Sequence, residues 1–401
     1  MRNGFLGALG LLVAIAIALL GACAPSSSGG GSHPADDDAS PTDDDDNDTT
    51  PPADDDGSPA DDDNDDSSPA DDDDNDDDDS ATDVFAVGFG GTILHYDGAT
   101  WSAMTSGVTG PLEGVWGSSG SDVFAVENWG NSANAILHYD GSSWSSMSNV
   151  PDAPSGGFSA VWGSSPSDVF AVGYDSTENA VILHYDGAAW SVQWTAGASL
   201  GVSSLGSVWG SSASDVFVAG QWILYNYPPV PLNGGMVLNN NGGSWNAMGN
   251  MYSFDPLNAV WGASASDVFA VGYIPNAGGE PGGNVIMHYD GASWVNMAVP
   301  TQAFATVAGI WGASPTAVFA IGEYYGDGFV YRYDGSSWSP MTTEPFVLIG
   351  IWGSDAADIF VVGYERTGNT GVILHYDGSS WATMLAGSSP FLNAVWGVAP
   401  K

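Results

Sequence analysis

One unit of 41 to 52 residues recurs seven times after residue 82 and constrains the fold of this 401-residue chain more than any other feature. Each unit contains V-W-G or I-W-G, then D-V-F-A-V-G, then I-L-H-Y-D-G, and then a tryptophan. The first segment ends at Gly117, Gly163, Gly210, Gly262, Gly312, Gly353 and Gly397. Four short β-rich segments per unit of this length are typical of a propeller blade. The sequence therefore predicts an all-β, seven-bladed β-propeller of four-stranded blades over residues 82–401.

The local chemistry of the unit supports strands and not helices. D-V-F-A-V is apolar on both faces, as expected of a strand packed between two neighbouring blades. D-G-S-S, between the tyrosine and the tryptophan, has the composition of a tight hairpin turn. No segment shows the apolar period of 3.6 residues that a helical solenoid requires.

The register of the repeat predicts how the ring closes. The first copy begins at Asp83 without a preceding V-W-G, whereas an unmatched V-W-G segment, residues 392–397, follows the last copy. If V-W-G forms the innermost strand, this C-terminal strand completes the blade that begins at Asp83. Closure of this kind removes the exposed edges of an open array.

Two connections of the unit have constant length and two vary. The step from the V-W-G tryptophan to the D-V-F position is always six residues, and the step from the tyrosine position to the hairpin tryptophan is always five. The step from the D-V-F phenylalanine to the histidine position ranges from 10 to 22 residues. In an up-and-down blade the variable connections emerge on one side, which we predict to be the functional face.

Aromatic residues outside the repeat positions concentrate in these variable connections. The candidate ligand-binding residues are Trp129, Tyr174, Trp222, Tyr225, Tyr227, Tyr273, Tyr324, Tyr325 and Tyr364. Eleven acidic residues lie in the same connections: Glu113, Glu127, Asp152, Asp175, Glu178, Asp255, Glu280, Glu323, Asp327, Glu344 and Glu365. Aromatic faces beside carboxylates suit sugars or basic peptide segments. The alternative for Tyr174, Tyr273, Tyr364 and Phe89 is a structural role, because each follows the repeated glycine and could cap its hairpin.

The sequence offers little for catalysis, cofactors or metals. Five histidines, His95, His138, His184, His288 and His375, share one repeat position, and equivalent atoms of different blades lie too far apart to share one metal. A nucleophilic triad would need a histidine outside the repeated position, beside a serine, and the repeat region has no such histidine. A sialidase would need an arginine cluster, whereas the repeat region contains only Arg332 and Arg366. We predict no catalytic residue, no metal site and no cofactor. The alternative that stays open is a neutral-glycan hydrolase that uses a pair of carboxylates.

The region before the repeats divides into two segments. Residues 1–22 contain Arg2, an apolar stretch from Phe5 to Leu20, and Leu20-Gly21-Ala22 before Cys23, which predicts a secretory signal peptide. Residues 23–81 are rich in Asp, Pro, Ser, Gly and Ala and contain 24 of the 48 acidic residues. This composition predicts a disordered linker that associates at most weakly with Ca²⁺. The formal charge of −44 excludes nucleic acid as a partner.

Two resemblances add an expected location. Leu20-Gly21-Ala22-Cys23 resembles the lipobox of bacterial lipoproteins, which implies lipidation of Cys23 and anchoring to a membrane. Because Ala24 is not the aspartate that retains such proteins at the inner membrane, the resemblance implies the outer membrane or the cell surface. The V-W-G, D-V-F-A-V-G and H-Y-D-G segments resemble the repeats of bacterial secreted and lipoprotein propellers of largely unassigned function, over essentially all of residues 82–401.

Together these features predict a lipid-anchored envelope protein whose propeller is a non-enzymatic binding module for a glycan or protein ligand. The first alternative is a scaffold subunit of an envelope assembly complex, like the propeller lipoprotein of the outer-membrane barrel-assembly machinery. The second is a neutral-glycan hydrolase.

Overall fold

The computed structural model describes residues 83–128, 136–151, 156–175, 177, 179–196, 202–224, 232–249, 254–275, 282–300, 305–387 and 389–399. The predicted signal peptide and linker, including Cys23, lie outside the described residues. Within the described residues, no helix has the length and apolarity needed to cross a membrane.

The described residues form seven four-stranded antiparallel sheets, which confirms the predicted seven-bladed propeller. The V-W-G segment forms the first strand of each sheet. These innermost strands are β4 (Leu112–Ser119), β8 (Gly157–Ser165), β12 (Val202–Ser212), β16 (Leu257–Ser264), β20 (Thr306–Ser314), β24 (Val347–Asp355) and β28 (Leu392–Val398). Each innermost strand contacts that of the next blade, so the seven strands enclose a central channel.

The other three strands follow outwards in chain order. The second strands are β1 (Asp83–Gly88), β5 (Asp122–Glu127), β9 (Asp168–Tyr174), β13 (Asp215–Leu224), β17 (Asp267–Ile274), β21 (Ala317–Tyr324) and β25 (Asp358–Glu365). The third strands are β2 (Thr92–Tyr96), β6 (Ile136–Tyr139), β10 (Ala180–Tyr185), β14 (Leu232–Asn240), β18 (Gly283–Tyr289), β22 (Asp327–Tyr333) and β26 (Thr370–Tyr376). The outermost strands are β3 (Trp101–Met104), β7 (Trp144–Ser146), β11 (Trp190–Thr195), β15 (Trp245–Ala247), β19 (Trp294–Asn296), β23 (Trp338–Glu344) and β27 (Trp381–Ala386). A short 3₁₀ helix, Phe89–Gly91, joins β1 to β2.

Blade 1 combines the two ends of the repeat region, as its register predicts. Its sheet has the order β28-β1-β2-β3, so the C-terminal strand is its innermost member. The pairing of β28 with β1 runs antiparallel from Asp83 opposite Val398 to Gly88 opposite Leu392. Backbone hydrogen bonds between distant parts of the chain therefore close the ring. Blades 2 to 7 follow in sequence order.

A ring of seven tryptophan–glycine contacts explains why V-W-G recurs. The indole of each V-W-G tryptophan lies against the V-W-G glycine of the next blade, and a Cβ atom on that glycine would come within 2.5 to 2.8 Å of the ring. Real Cβ atoms do not approach other atoms so closely, because packed interiors leave no such overlap. The pairs are Trp116–Gly163, Trp162–Gly210, Trp209–Gly262, Trp261–Gly312, Trp311–Gly353, Trp352–Gly397 and Trp396–Gly117.

The hydrophobic core lies between the blades. Second-strand side chains from Val84 to Val87 are fully buried, and the equivalent residues of the other blades are buried in the same way. Their faces contribute to different clusters: Phe85 and Val87 pack towards blade 2, whereas Val84 and Ala86 pack towards blade 7. A strand that packs on both faces needs apolar residues at every position, which D-V-F-A-V provides.

The turns between third and fourth strands have the predicted tight geometry. The Asp334 carboxylate accepts backbone N–H bonds from Ser336 and Ser337, each at 2.8 Å, and Gly335 has φ +92°. Hydrogen bonds, first from the Ser336 hydroxyl and then from the two backbone amides, lower the pKa of Asp334 to about 2. In blade 4 the acceptor lies one residue earlier, because Asn240, at the repeated tyrosine position, accepts the backbone N–H bonds of Gly242 and Gly243.

The repeated histidines pair with the first repeated aspartates. His184 Nε2 lies 2.7 Å from Asp168 Oδ1, and the same pair occurs at His95–Asp83, His138–Asp122, His288–Asp267 and His375–Asp358. In blade 4 Asn239 replaces the histidine and donates to Asp215. Each of these six aspartates therefore pairs across strands with the residue at the histidine position. The histidines belong to separate blades, and no group of three or more potential metal ligands exists among the described residues.

A second ring of contacts joins the blades at the outer rim. Six of the seven hairpin tryptophans are followed three residues later by methionine, and this methionine shares a hydrophobic cluster with the hairpin tryptophan of the next blade. Trp190 Nε1 lies 3.2 Å from Met147 Sδ, and Trp338 Nε1 lies 3.3 Å from Met297 Sδ. Sulfur–aromatic contacts of this kind stabilise packed interfaces.

Candidate functional site on the variable face

The propeller has two different faces. The constant face carries the turns between first and second strands and between third and fourth strands. The variable face carries the connections between second and third strands and between one blade and the next. The described part of the chain enters and leaves the propeller at the constant face, because Asp83 pairs with Val398 there. The variable face is therefore opposite to the point where the chain enters.

Three aromatic side chains from both ends of the repeat region meet on the variable face. Phe391 stacks on Tyr364 with ring centroids 4.2 Å apart and contacts Phe89 edge to face at 5.9 Å. The backbone N–H of Phe89 donates to the Phe391 carbonyl at 2.8 Å, which fixes the two segments together. The Phe89 side chain is 42% exposed. These residues are neighbours only because β28 closes the ring.

Two further tyrosines extend this group on blade 6. Tyr324 and Tyr325 contact each other edge to face, with centroids 4.7 Å apart. Arg366 links them to blade 7, since its guanidinium donates to the Tyr325 carbonyl and its side chain lies against Gly326. We call Phe89, Phe391, Tyr364, Tyr324 and Tyr325 the aromatic ridge.

The hairpin that carries Tyr325 has a backbone conformation that is unusual for its sequence. Tyr324 pairs with Asp327, so Tyr325 and Gly326 form a two-residue turn with φ of +52° and +92°. A type I′ turn of this kind favours Asn or Gly at its first central position. A bulky side chain with positive φ is strained, and strained residues cluster at functional sites. The Tyr325 ring contacts Tyr324, and 60% of its surface is still exposed to solvent.

Charged groups border the aromatic ridge. Glu323 Oε2 accepts the backbone N–H of Gly326 at 2.6 Å, which places the carboxylate beside the Tyr325 turn. Burial raises the pKa of Tyr364, the Glu323 charge raises it further, and Arg366 partly offsets both. The ridge therefore combines ring faces with one carboxylate and one guanidinium. Such a surface can stack on a sugar ring or an apolar side chain and can hydrogen-bond to its polar groups.

Three other predicted residues have mainly structural surroundings. The Tyr174 hydroxyl donates to Asn128 Oδ1 at 2.8 Å and covers Gly157. Tyr273 is half-buried, and burial raises the pKa of its phenol. Trp222 is only 4% exposed, and its Nε1 donates to the Gly235 carbonyl at 3.2 Å. Burial favours a structural role for Trp222, which lies where β13 and β14 extend as a paired ladder. Trp129, Tyr225 and Tyr227 lie outside the described residues.

Of the eleven acids, Asp152, Glu178 and Glu280 lie outside the described residues, and Glu127 is a core residue. Glu127 replaces the repeated glycine at the end of β5 and has no exposed surface. Its Oε1 accepts the backbone N–H of Gly110 at 2.9 Å. Its carboxylate therefore supports the connection that leads into β4. Sequence reasoning also missed Phe391 as a site residue, although an aromatic residue directly before L-N-A-V-W-G was a visible signal.

No protein-family model matches the sequence, and no curated protein gives a significant match. Solved structures show the same fold at low identity. YCF48 from Cyanidioschyzon merolae is 18% identical, with a TM-score of 0.51 over 73% of this chain and 90% of that chain. YCF48 bound to D1 peptide is 15% identical, with a TM-score of 0.50 over 74% and 92%.

A putative 6-phosphogluconolactonase from Bacteroides fragilis is 9% identical, with a TM-score of 0.52 over 82% of this chain and all of that chain. Proteins with different roles therefore share this architecture. At these identities the likeness shows the propeller fold and not an activity.

Proposed function

We propose that this chain is a lipid-anchored protein of the bacterial envelope or cell surface, whose propeller binds a glycan or protein ligand without chemically converting it. The observation that carries the binding role is the aromatic ridge, with its strained and exposed Tyr325. The repeat alone would be satisfied by smaller turn residues at this position. Contact with a ligand would give this large and mostly exposed ring a role.

The ligand class follows from the chemistry of the ridge. Ring faces at Phe89 and Tyr325, with Glu323 and Arg366 beside them, fit sugars or protein segments with exposed apolar groups. The YCF48 propeller, which has a similar fold, is known bound to D1 peptide. The propeller of this chain is therefore to be tested against both glycans and peptides.

A triple substitution tests the ridge. We expect Tyr325→Asn, Tyr364→Ala and Phe89→Ser together to weaken binding to hits from arrayed glycans and short peptides by at least tenfold, about 1.4 kcal/mol, because several stacking contacts are lost. Asn suits the positive φ at position 325, so the turn is expected to persist. Affinity is measured by titration, and folding by thermal unfolding.

The matched control is Val295→Ser, which removes an exposed apolar side chain from outermost strand β19. Its affinity should equal that of the parent protein. Equal binding by the parent and the triple variant would reject the ridge as the site. Release of reducing ends from a bound glycan would reject a purely binding role and would identify the propeller as a glycan hydrolase.

The anchor is tested on the whole chain. The lone cysteine of the sequence, Cys23, follows an apolar segment and Leu-Gly-Ala, and two or three acyl chains give stable membrane attachment where one does not. We expect Cys23→Ser to move most of the protein from the membrane fraction to the soluble fraction. Cell fractionation and the mass of the N-terminal peptide provide the measurement. Membrane association that persists in the variant, without acyl mass in the parent, would contradict lipid anchoring.

A further inference from the structure

The variable-face end of every innermost strand carries a β-bulge. In β4, Leu112 pairs with Glu127 and Gly114 pairs with Val126, which leaves Glu113 outside the ladder. The same register shift occurs at the equivalent residue of each blade. The seven residues of this bulge ring are Glu113, Ser159, Gly206, Asn258, Ala308, Ile349 and Asn393. Because the innermost strands enclose the channel, the bulge ring surrounds its mouth on the variable face.

Asparagines of the bulge ring join neighbouring blades. Asn258 Nδ2 donates to the Val307 carbonyl of the next blade at 2.8 Å, and Asn393 Nδ2 donates to the Leu112 carbonyl at 3.0 Å. In both cases the acceptor precedes the bulge residue of the next blade. A side-chain donor at this position therefore joins each bulge to a backbone carbonyl of the next blade.

Glu113 cannot make this contact as a carboxylate. The equivalent acceptor is the Phe158 carbonyl, and an ionised carboxylate has no proton to donate. Within the described part of the chain, the carboxyl group of Glu113 has neither a hydrogen bond nor an ion pair. Burial raises the pKa of its carboxyl group. A half-buried carboxylate without a partner destabilises the protein, so its presence needs another explanation.

The chain supplies no obvious counter-ion for Glu113. Residues 83–401 contain 24 acidic residues but only three cations, Arg332, Arg366 and Lys401. Arg332 lies over the Phe319 ring at 5.7 Å, between strands of blade 6, and Arg366 binds the Tyr325 carbonyl. Lys401 lies outside the described residues. The potential at the mouth is therefore negative and attracts cations from solution.

The bulge ring favours an organic cation over a metal ion. It contains one carboxylate, whereas Ca²⁺ sites in proteins use six to eight oxygen ligands, commonly several carboxylates. The neighbours of Glu113 in the ring, Ser159 and Asn393, add a hydroxyl and an amide oxygen. A guanidinium group carries five donors and matches such a set of acceptors.

We propose that the mouth of the central channel is a binding site for a guanidinium or ammonium group, with Glu113 as its counter-ion. A basic side chain of a protein ligand would enter the channel there and pair with the carboxylate. This site is separate from the aromatic ridge, so either proposal can fail without the other.

Matched peptides test the site on the full chain. The probes are acetyl-Gly-Arg-Gly-amide and the same peptide with citrulline, which keeps the shape of arginine without its charge. At about physiological ionic strength we expect the arginine peptide to bind about tenfold more tightly, because a hydrogen-bonded charge pair forms. The same preference should persist in the triple ridge variant.

Glu113→Gln is the decisive variant, and Asp327→Asn is its control. Both remove one negative charge from the variable face, but Asp327 is exposed and lies outside the bulge ring. We expect Glu113→Gln to reduce the preference for arginine to less than about twofold and Asp327→Asn to retain it. An unchanged preference in Glu113→Gln, or equal binding of both peptides by the parent protein, would overturn the proposal.

A second readout separates binding from a structural role. The side-chain amide introduced by Glu113→Gln could donate to the Phe158 carbonyl as the asparagines of the ring do, so this variant should have a thermal midpoint raised by about 2 °C. If Glu113 serves binding, its replacement is expected to raise the stability of the protein and to weaken its binding of the arginine peptide. A lower midpoint together with lost binding would identify Glu113 as a structural residue and overturn the assignment.

Discussion

Removal of residues 392–401 is expected to abolish the cooperative thermal unfolding of the propeller. The deletion removes β28, so blade 1 loses its innermost strand and the ring loses its closure. Leu392 and Val395 are buried, and Trp396 packs on Gly117 of blade 2. A single buried leucine truncated to alanine costs about 2–5 kcal/mol, and a whole domain is stable by only about 5–15 kcal/mol. Circular dichroism during heating measures the effect.

A shorter truncation is the control for this deletion. Removal of residues 399–401 leaves β28 intact, and Ala399 is exposed. The thermal midpoint should stay within about 2 °C of the parent value, because surface changes rarely exceed about 0.5 kcal/mol. Closure by β28 would be contradicted if both truncated proteins melted like the parent.

Gly210→Ala is expected to destabilise the propeller by about 3 kcal/mol, at the upper end of the usual range for overpacking. The added Cβ would lie 2.5 Å from Cη2 of Trp162 and 3.0 Å from the Asp215 carbonyl oxygen. Neither group can retreat easily, because Trp162 is held between two blades and the carbonyl belongs to β13. Urea unfolding monitored by tryptophan fluorescence gives the change in the free energy of unfolding.

Gly243→Ala provides the matched comparison. A Cβ at Gly243 would have no atom within 4 Å, and its backbone does not have positive φ. Its substitution should leave stability unchanged or raise it by about 0.4–1 kcal/mol through reduced entropy of the unfolded chain. Equal free energies of unfolding for the two variants would show that the tryptophan–glycine ring does not require glycine.

The sequence predicted the architecture because every blade repeats the same physical problem. An apolar D-V-F-A-V strand needs neighbours on both faces. The unmatched V-W-G segment after the last copy can complete only the blade that lacks an innermost strand, which is the blade that contains β1. The sequence did not show which contact each repeated residue of the unit makes. The contact between Trp162 and Gly210 joins consecutive units, as does that between Trp190 and Met147, so a single unit does not reveal either pairing.

The candidate site was harder to predict than the fold. Phe89 and Phe391 belong to opposite ends of the repeat region, and ring closure is what brings them together. Trp222 is buried, and its connection begins with a longer paired ladder of β13 and β14 that the sequence does not show. Variable connections follow no repeat, so a residue there is assigned to the surface or the core only by its three-dimensional neighbours. The bulge at Glu113 recurs in every blade, but it is a property of the backbone pairing between β4 and β5 that the residues of one unit do not show.

Site-specific photocrosslinking in intact cells tests whether the variable face meets the ligand. A photoreactive benzoylphenylalanine is placed at position 325 on the aromatic ridge or at position 336, an exposed turn residue on the constant face. Position 325 should give a discrete adduct that the Tyr364→Ala and Phe89→Ser changes reduce, and position 336 should give none. Adducts at position 336 with none at position 325 would contradict ligand contact at the variable face. They would favour a scaffold that contacts its partners through the constant face.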